Sequence, residues 1–323
     1  VSLTALGTPA IATHVTAGIL VIAGATVAHA KIRTEIATLK KGSYFLFALW
    51  LFLAAGAVYR VSSLALFIDD VSRTEHAYQR EFRELNDPEL TEPFYLQHNC
   101  STCYLVAAHL AGSGAENLYD KKHYRNAEVK TPVHQEIGDA FNVDQYQYPP
   151  PFLLGPYLAL LTGLDFFQIR ALWFAFSVIL FVLTSAAITV WICGWRFHAL
   201  WLIWPTLLIS PTVIATLQMG NAHAFMILIA MLAMVCFQKR WHLVGGGLLA
   251  YATLSKFFPG IVVAYLLFQR RWLALGWTIA WIIVLCAATL LAFGTTPFEA
   301  LLSHQLPALA SGEAFSFAFT KPG

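Results

Sequence analysis

Apolar residues form long runs along this chain, separated by short polar stretches. Because about 20 apolar residues cross the hydrocarbon core of a bilayer as a helix, runs of this length or nearly so predict spanning helices. They cover 10–30, 43–68, 171–194, 197–217, 222–237 and 273–293. Shorter runs cover 152–164 and 243–268, and the second is interrupted at Lys256-Phe257-Phe258-Pro259, so it fits either one bent helix or two half-helices. The pattern predicts an all-α polytopic membrane protein with about eight or nine passes.

The composition supports a membrane protein. Hydrophobic residues make up 58% of the chain, charged residues only 12%, and the mean hydropathy is +0.62. Soluble domains carry about twice that share of charged residues. We therefore exclude a soluble protein. The first apolar run is too long for a signal-peptide core and lacks a basic start, so it is interpreted as a spanning helix.

Basic residues in three short loops predict the orientation, because Lys and Arg are retained on the cytoplasmic side. These loops contain Lys31, Arg33, Lys40 and Lys41, then Lys239 and Arg240, then Arg270 and Arg271. With the three loops in the cytoplasm, the helix at 43–68 runs outward. If 152–164 also crosses fully, 197–217 must be two half-helices broken at Ser210-Pro211 or a re-entrant segment.

Residues 69–147 then form a large extracytoplasmic loop. This loop contains 14 of the 18 acidic residues of the chain. Within it, the segments 71–85 and 103–111 have helical patterns, and Gly112 and Gly114 end the second one. We expect both helices to lie along the bilayer surface and to enclose part of a site between water and lipid.

Asp69 and Asp70 open this loop directly after the outward-running helix. A carboxylate at the membrane surface is partly desolvated and stands next to the position of a lipid phosphate, which suits general-base chemistry. A lone acid at a helix end is more commonly a solvated charge. Two adjacent acids at the start of the loop favour the catalytic interpretation.

Cys100 and Cys103 have the spacing of a redox pair, a metal pair or a haem attachment. Haem attachment is disfavoured because Tyr104 follows where a histidine is required, and no second cysteine pair is present to complete a zinc site. We expect a local disulfide in an oxidising compartment, with free thiols as the alternative.

Tyr148 precedes three prolines where the loop returns to the membrane. Proline fits the first turn of a helix and holds the preceding residue extended. The sequence Tyr148-Pro149-Pro150-Pro151 therefore predicts a rigid junction. This junction either connects loop and helix only, or also forms the wall of an external cavity.

Polar side chains at the expected outer helix ends are candidates for binding a sugar. Gln218, Asn221 and His223 suit sugar hydroxyls, and hydrogen bonding between helices is the alternative. His304 lies on the same expected side. Lys256 is an ammonium inside an apolar run with no acid nearby in sequence, so we expect a phosphate partner, with snorkelling to the interface as the alternative.

Several short motifs, taken in order, resemble the GT-C glycosyltransferases and are most similar to glycosyltransferase family 87. They are Asp69-Asp70 after the outward helix, Tyr148-Pro149-Pro150 at the return into the membrane, Gln218-x-x-Asn221, Lys256-x-x-Pro259 before an apolar run, and Arg270-Arg271-Trp272. The segment from Ala107-Ala108 through Gly114 to Leu118-Tyr119-Asp120 also resembles the family. Family members often carry an acid shortly before this helix, where the chain has His98-Asn99-Cys100-Ser101.

The resemblance covers the chain from about residue 43 and implies a GT-C-like helical bundle at 43–323, preceded by an extra helix and basic loop at 1–42. It implies an inverting glycosyltransferase of the cell (plasma or inner) membrane. The enzyme would move a sugar, expected to be mannose, from a polyprenyl-phosphate donor to an envelope glycolipid or glycan on the extracytoplasmic side. Asp69 or Asp70 would deprotonate the acceptor, and Lys256 would stabilise the leaving phosphate.

The resemblance also implies which partners the chain has. They are the lipid-linked donor, the acceptor and the surrounding membrane lipids, with no metal, cofactor or nucleic acid. The helix at 10–30 is extra, and the usual further C-terminal helices are absent from the sequence. We therefore expect an atypical or truncated member of the family.

Two other classes of function stay open from the residues alone: a transporter or channel, and a non-catalytic membrane subunit whose acidic loop binds a partner. Coupling sites of transporters usually pair acids with bases near the midplane. In this chain, charges at membrane depth are nearly confined to Lys256 and to helix-end residues, namely Arg60, Asp165, Arg170 and Arg196. This pattern disfavours a transporter.

Overall fold

The computed structural model describes residues 41–69, 99–124, 130–137, 141, 143–193 and 205–312. These residues form helices and connecting turns, and no strand occurs among them, which confirms the all-α prediction. The α-helices among these residues are α1 (Lys41–Asp69), α2 (Cys100–Gly112), α3 (Pro132–Ile137), α4 (Leu154–Leu160), α5 (Phe166–Cys193), α6 (Pro211–Gln218), α7 (His223–Gln238), α8 (His242–Ser255), α9 (Gly260–Phe268), α10 (Trp272–Phe293), α11 (Thr296–Ala300) and α12 (Leu306–Ala310).

Three helices of the described ranges are long and apolar enough to cross a membrane. They are Ala48–Ile68, Phe166–Thr189 and Trp272–Phe293, and they confirm the spans expected at 43–68, 171–194 and 273–293. The predicted helices at 10–30 and 71–85 lie outside the described residues. The total number of passes and the boundary predicted at residue 42 therefore stay predictions.

The chain divides into two compact units. Unit 1 contains the described residues of Val1–Leu96 and Phe167–Leu228, and unit 2 contains those of Gln97–Phe166 and Ile229–Gly323. Each of the two units combines segments that are far apart in sequence.

In unit 1, α1 packs against a helical turn at 205–209. Gly56 of α1 stands so close to this turn that an added Cβ would lie 2.8 Å from the side chain of Ile209. One turn further along α1, a guanidinium nitrogen of Arg60 donates a hydrogen bond of 3.0 Å to the carbonyl oxygen of Ile209. The last carbonyls of a helix have no intrahelical hydrogen-bond donor. Arg60 therefore supplies the donor for the carbonyl of Ile209.

The chain breaks at Ser210-Pro211, the position named in one of the two alternatives for 197–217. Ser210 is extended, with φ −62° and ψ 126°, and Pro211 begins α6. Proline disfavours the helical conformation of the preceding residue and lacks the N–H that would continue the helix, so the chain can restart a helix here but cannot run straight through. The break between the turn at 205–209 and α6 therefore follows from local sterics.

In unit 2, α8 and α10 lie side by side and run in the same direction. Gly246 of α8 faces the backbone of Trp277 near the start of α10. At the far end, α4 contacts both helices, because Gly155 approaches Tyr251 of α8 and Tyr157 packs its ring 4.9 Å from that of Phe293 in α10. Small residues permit such close packing of helices without relying on the hydrophobic effect.

The apolar run at 243–268 therefore forms two half-helices rather than one bent helix. α8 ends at Ser255, α9 begins at Gly260, and α10 starts again beside α8. Since α10 runs parallel to α8, the chain of α9 must return toward the end where α8 begins. The basic turns that hold Arg240 and Arg271 consequently lie at the same end of unit 2.

Helix α2 differs from its prediction in where it begins. It begins at Cys100, three residues before the expected start, because Asn99 caps it. Most of its 13 residues are buried. It is an inner helix of unit 2, enclosed by protein, and its expected position along the bilayer surface stays a prediction.

The glycines between α8 and α10 give a test of this packing. In Gly246→Ala the new Cβ would stand 2.7 Å from the backbone carbon of Trp277, so we expect destabilisation by about 1–3 kcal/mol. Thermal unfolding of the purified chain in detergent measures it. The control is Gly276→Ala in the same helix pair, where the new Cβ meets nothing within 4 Å and alanine should be neutral or stabilising by about 0.5–1 kcal/mol. Equal unfolding temperatures of the two variants would contradict the packing described.

Candidate active site

Five aromatic side chains form a buried group in unit 2, called the tyrosine cluster below. The cluster consists of Tyr104, Tyr119, Tyr146, Tyr148 and Phe152, and each of them is at most 7% exposed. The ring of Tyr148 is central: its centroid lies 5.1 Å from that of Tyr104, 5.5 Å from that of Tyr146 and 4.8 Å from that of Phe152. Such edge-to-face and stacked pairs stabilise a core beyond the area that they bury.

An alternating segment supplies two of these rings. Residues 143–147 are neither helix nor turn, and Tyr146 and Tyr148 are buried whereas Gln145 and Gln147 are half-buried. Alternate residues of an extended chain point the same way, which explains why both tyrosines enter the cluster. The same period places Asp144 on the face of the chain that carries Tyr146 and Tyr148.

The three prolines fix the direction in which the chain leaves this segment. Pro149 has φ −60° and ψ 151°, and Pro150–Leu153 forms a 3₁₀ turn that leads into α4. Two tyrosine hydroxyls bind the carbonyls at the junction: Tyr146 donates to Pro149 at 3.0 Å, and Tyr119 donates to Tyr148 at 2.8 Å. The predicted rigid junction is confirmed, and the tyrosine cluster holds it from within the protein.

The cap of α2 brings the fourth tyrosine into place. The Asn99 side chain accepts a hydrogen bond from the backbone N–H of Ser101 at 3.0 Å, as expected of an N-cap asparagine. One turn later, the hydroxyl of Tyr104 lies 2.8 Å from the hydroxyl of Tyr148. This hydrogen bond joins α2 to the proline junction across a separation of 44 residues.

Lys256 reaches the same cluster from the break between α8 and α9. It is the C-cap of α8, with an extended backbone (φ −145°, ψ 137°) and its N–H bonded to the carbonyl of Ala252 at 3.0 Å. Its ammonium lies 3.6 Å from the centroid of the Tyr148 ring, which is a close cation–π contact. Among the described residues, no carboxylate is within ion-pair distance of Lys256.

Asp144 is a carboxylate that the sequence analysis missed and that acts on the same thiol as Lys256. Burial raises the pKa of the Cys103 thiol well above its ordinary value, the charge of Asp144 raises it further, and the Lys256 ammonium acts in the opposite direction. Cys103 therefore stands within electrostatic range of both charges. The signal in the sequence was the alternation from Asp144 to Tyr148, which places an acid on the face that carries the tyrosines.

Cys100 and Cys103 occupy the first turn of α2, and both are buried. The sulfur of Cys103 donates to the carbonyl oxygen of Cys100 at 3.2 Å, so the structure holds Cys103 as a thiol. The expected disulfide stays a prediction.

Gln218, Asn221 and His223 lie in unit 1, around the turn between α6 and α7. The Asn221 side-chain oxygen accepts from the backbone N–H of His223 at 2.8 Å and lies 3.0 Å from its Nδ1. The indole of Trp173 donates to the carbonyl of Gly220 at 3.1 Å and fixes the turn. Asn221 and His223 therefore order the start of α7, and a role of theirs in sugar binding stays a prediction, as it does for Gln218.

The remaining predicted residues are Asp69, Asp70 and His304. Asp69 is the last residue of α1, and Asp70 lies outside the described residues. His304 belongs to the π-turn Leu301–Gln305 of unit 2 and is exposed. No group of three or more His, Cys, Asp or Glu residues in the described ranges is close enough to hold a metal ion.

Unit 2 thus combines a cation, an acid and several flat aromatic rings around one junction. An ammonium that is oriented by a ring, and not neutralised by a described acid, can bind an anionic group such as a phosphate. The hydroxyls of the tyrosine cluster are bonded within the protein, so they order the junction around the cation. The arrangement therefore suits an anionic group at Lys256.

Comparison with known proteins gave one match. The model of glycosyltransferase family 87 matches residues 146–321, which is more than half of the chain and includes both Tyr148 and Lys256. No curated protein and no solved structure matches the chain.

The hydroxyl pair of Tyr104 and Tyr148 gives a test of the cluster. Each single Tyr→Phe variant deprives the other buried hydroxyl of this hydrogen bond, so each should lower stability by about 1–3 kcal/mol. The double variant removes both hydroxyls and should lose clearly less than the sum of the two single losses. Thermal unfolding of the four proteins measures the coupling, and strictly additive losses would show that the two hydroxyls do not depend on each other.

Proposed function

The chain belongs to glycosyltransferase family 87, and we propose that this membrane glycosyltransferase takes its sugar from a polyprenyl-phosphate donor. The sugar is expected to be mannose. The acceptor is an envelope glycolipid or glycan, and transfer occurs on the extracytoplasmic side of the plasma or inner membrane. Family membership favours this enzyme over the transporter, channel and non-catalytic subunit that the residues alone left open.

The contact between Lys256 and Tyr148 is the observation that carries the proposal. The ammonium is half-buried at a helix break and is oriented by a ring 3.6 Å away. A cation in such a place is costly unless an anion meets it. The leaving lipid phosphate is an anion of suitable size, and the sugar attached to it would then lie against the tyrosine cluster.

In the proposed reaction an acceptor hydroxyl oxygen attacks C1 of the donor sugar. The bond between C1 and the phosphate oxygen breaks as the new glycosidic bond forms, so the configuration at C1 inverts. The electron pair of the broken bond passes to the phosphate oxygen, where Lys256 stabilises the added charge. The hydroxyl proton passes to a carboxylate base. The products are the glycosylated acceptor and the free polyprenyl phosphate.

Three carboxylates are candidates for the base. Asp69 and Asp70 are supported by their place where the outward-running helix ends and the large loop begins, as the resemblance to the family implies. Asp144 is supported by its electrostatic influence on Cys103, whose pKa also responds to Lys256. The pH dependence of the rate can distinguish the three, because only the catalytic base must be deprotonated before each turnover.

Further side chains complete the proposed binding of sugar and acceptor. Tyr148 would face the sugar beside Lys256. Gln218, Asn221, His223 and His304 would supply hydrogen bonds to hydroxyl groups, as expected from the sequence.

Substitution of Lys256 tests the phosphate role. Lys256→Gln removes the charge that stabilises the leaving group, so transfer from a radiolabelled polyprenyl-phosphate sugar should fall by about a hundredfold or more, mainly in kcat. Lys256→Arg keeps the charge and should retain part of the activity.

Lys239→Gln is the matched control for this experiment. It removes the same charge from an exposed turn and should leave transfer unchanged. Full activity of Lys256→Gln, with a normal unfolding temperature, would eliminate the proposed role of Lys256.

The three candidate bases are separated by their pH profiles. Asp69→Asn, Asp70→Asn and Asp144→Asn are made singly, and substitution of the base should lower transfer by about a hundredfold or more. That variant should also lose the decline of the rate at low pH, because this decline arises from protonation of the base. If a variant is slower but its rate still declines at low pH, the substituted residue affects the rate through structure or charge and is not the base. If all three variants keep both rate and profile, the base lies elsewhere in the chain.

A further inference from the structure

Two turns of unit 2 have the same unusual backbone. The turn from α7 to α8 places Arg240 at φ 63°, and the turn from α9 to α10 places Arg270 at φ 53°. In each turn the following N–H bonds back across the helix end, from Trp241 to Cys236 and from Arg271 to Leu266, both at 2.9 Å. These bonds define Schellman motifs, in which glycine usually takes the left-handed position.

The two turns meet at one cavity. Its volume is about 670 Å³, and it is lined by Phe237, Gln238, Arg240 and His242 from the first turn and by Arg271 and Trp272 from the second, together with Leu273 and Ala274. The parallel packing of α8 and α10 explains the meeting, because it brings both helix starts to the same end of unit 2.

The lining of this cavity is positive and contains no acid. Neither Arg240 nor Arg271 pairs with a carboxylate among the described residues. The Nδ1 atom of His242 is buried and makes no hydrogen bond there. The first N–H groups of α8 and α10 also have no side-chain cap, and such helix starts favour an anion.

The rim of the cavity is apolar and aromatic. Trp272 and Leu273 of the lining are 62% and 61% exposed, and Trp272 is the first residue of a helix that is long and apolar enough to cross a membrane. Tryptophan is enriched where a membrane helix meets the headgroup layer. A basic pocket between helices at this level binds phosphate-bearing lipid headgroups.

We propose that this cavity binds the phosphate headgroup of an anionic phospholipid. Arg240 and Arg271 donate to the phosphate oxygens, His242 supplies a further hydrogen bond, and the acyl chains lie along the exposed aromatic rim. The site is separate from the one at Lys256, because α8 lies between them and its 14 residues span about 21 Å. The inference does not depend on the proposed reaction.

The experiment measures lipid retention by the purified full chain. The protein is exchanged into detergent containing either phosphatidylglycerol or phosphatidylcholine, and native mass spectrometry counts the bound lipid. We expect retention of phosphatidylglycerol and loss of phosphatidylcholine. Arg240→Gln and Arg271→Gln should each weaken retention by about tenfold or more.

The chain offers matched controls for both substitutions. Arg270→Gln removes the same charge at the same left-handed backbone position as Arg240→Gln, but Arg270 does not line the cavity. Lys239→Gln removes a charge next to Arg240, again outside the lining. Both controls should retain phosphatidylglycerol as the unaltered chain does. Equal losses in test and control variants would show that general positive charge holds the lipid, and would overturn the proposal.

A further arm distinguishes a lipid from a free phosphate. Inorganic phosphate is added to the lipid-free chain, and unfolding temperatures are compared with those obtained with phosphatidylglycerol. A rise with the lipid alone, absent in Arg240→Gln and Arg271→Gln, supports the proposal. An equal rise with inorganic phosphate would overturn the lipid as the ligand, and no rise with either would overturn the site.

Discussion

The break between α8 and α9 is the constraint on which unit 2 depends. A helix interruption in an apolar region leaves backbone groups that lipid cannot satisfy, so it persists only where protein surrounds it. Here the N–H of Lys256 bonds back to Ala252, and the side chain turns onto the ring of Tyr148. Tyr148 at the proline junction therefore covers the start of the interruption, and this contact is the centre of the candidate site.

The packing of α8 against α10 organises the rest of unit 2. Three consecutive glycines, Gly245 to Gly247, let α8 approach α7 on one side and α10 on the other, with the backbone of Trp277 against Gly246. Because α8 and α10 then run parallel, the ammonium of Lys256 and the two arginine turns come to opposite ends of α8. One helix thus separates two positive sites, each suited to a phosphate and each built from different neighbours.

In the candidate site, residues that differ from their sequence neighbours could be predicted, whereas residues that matter only through tertiary contacts could not. The sequence indicated Lys256 as an anomalous cation and Tyr148 as part of a rigid junction, because each stands out from its own neighbours in the chain. Asp144 did not stand out, since it is one of many acids in the loop 69–147. Only its electrostatic effect on the pKa of the Cys103 thiol in α2 distinguishes it. Tyr104 likewise did not stand out, because it lies inside an apolar helix.

The sequence by itself determined the membrane class and the main spanning helices, and it marked Ser210-Pro211 and Lys256 to Pro259 as positions where a helix can break. These features follow from local properties, namely the length of apolar runs and the backbone restrictions of proline. The tertiary structure alone decided that 243–268 folds back as two half-helices, that Lys256 meets Tyr148, and that Arg240 and Arg271 share a cavity. Such meetings join residues far apart along the chain, and they depend on the direction in which helices pack, which no local pattern encodes.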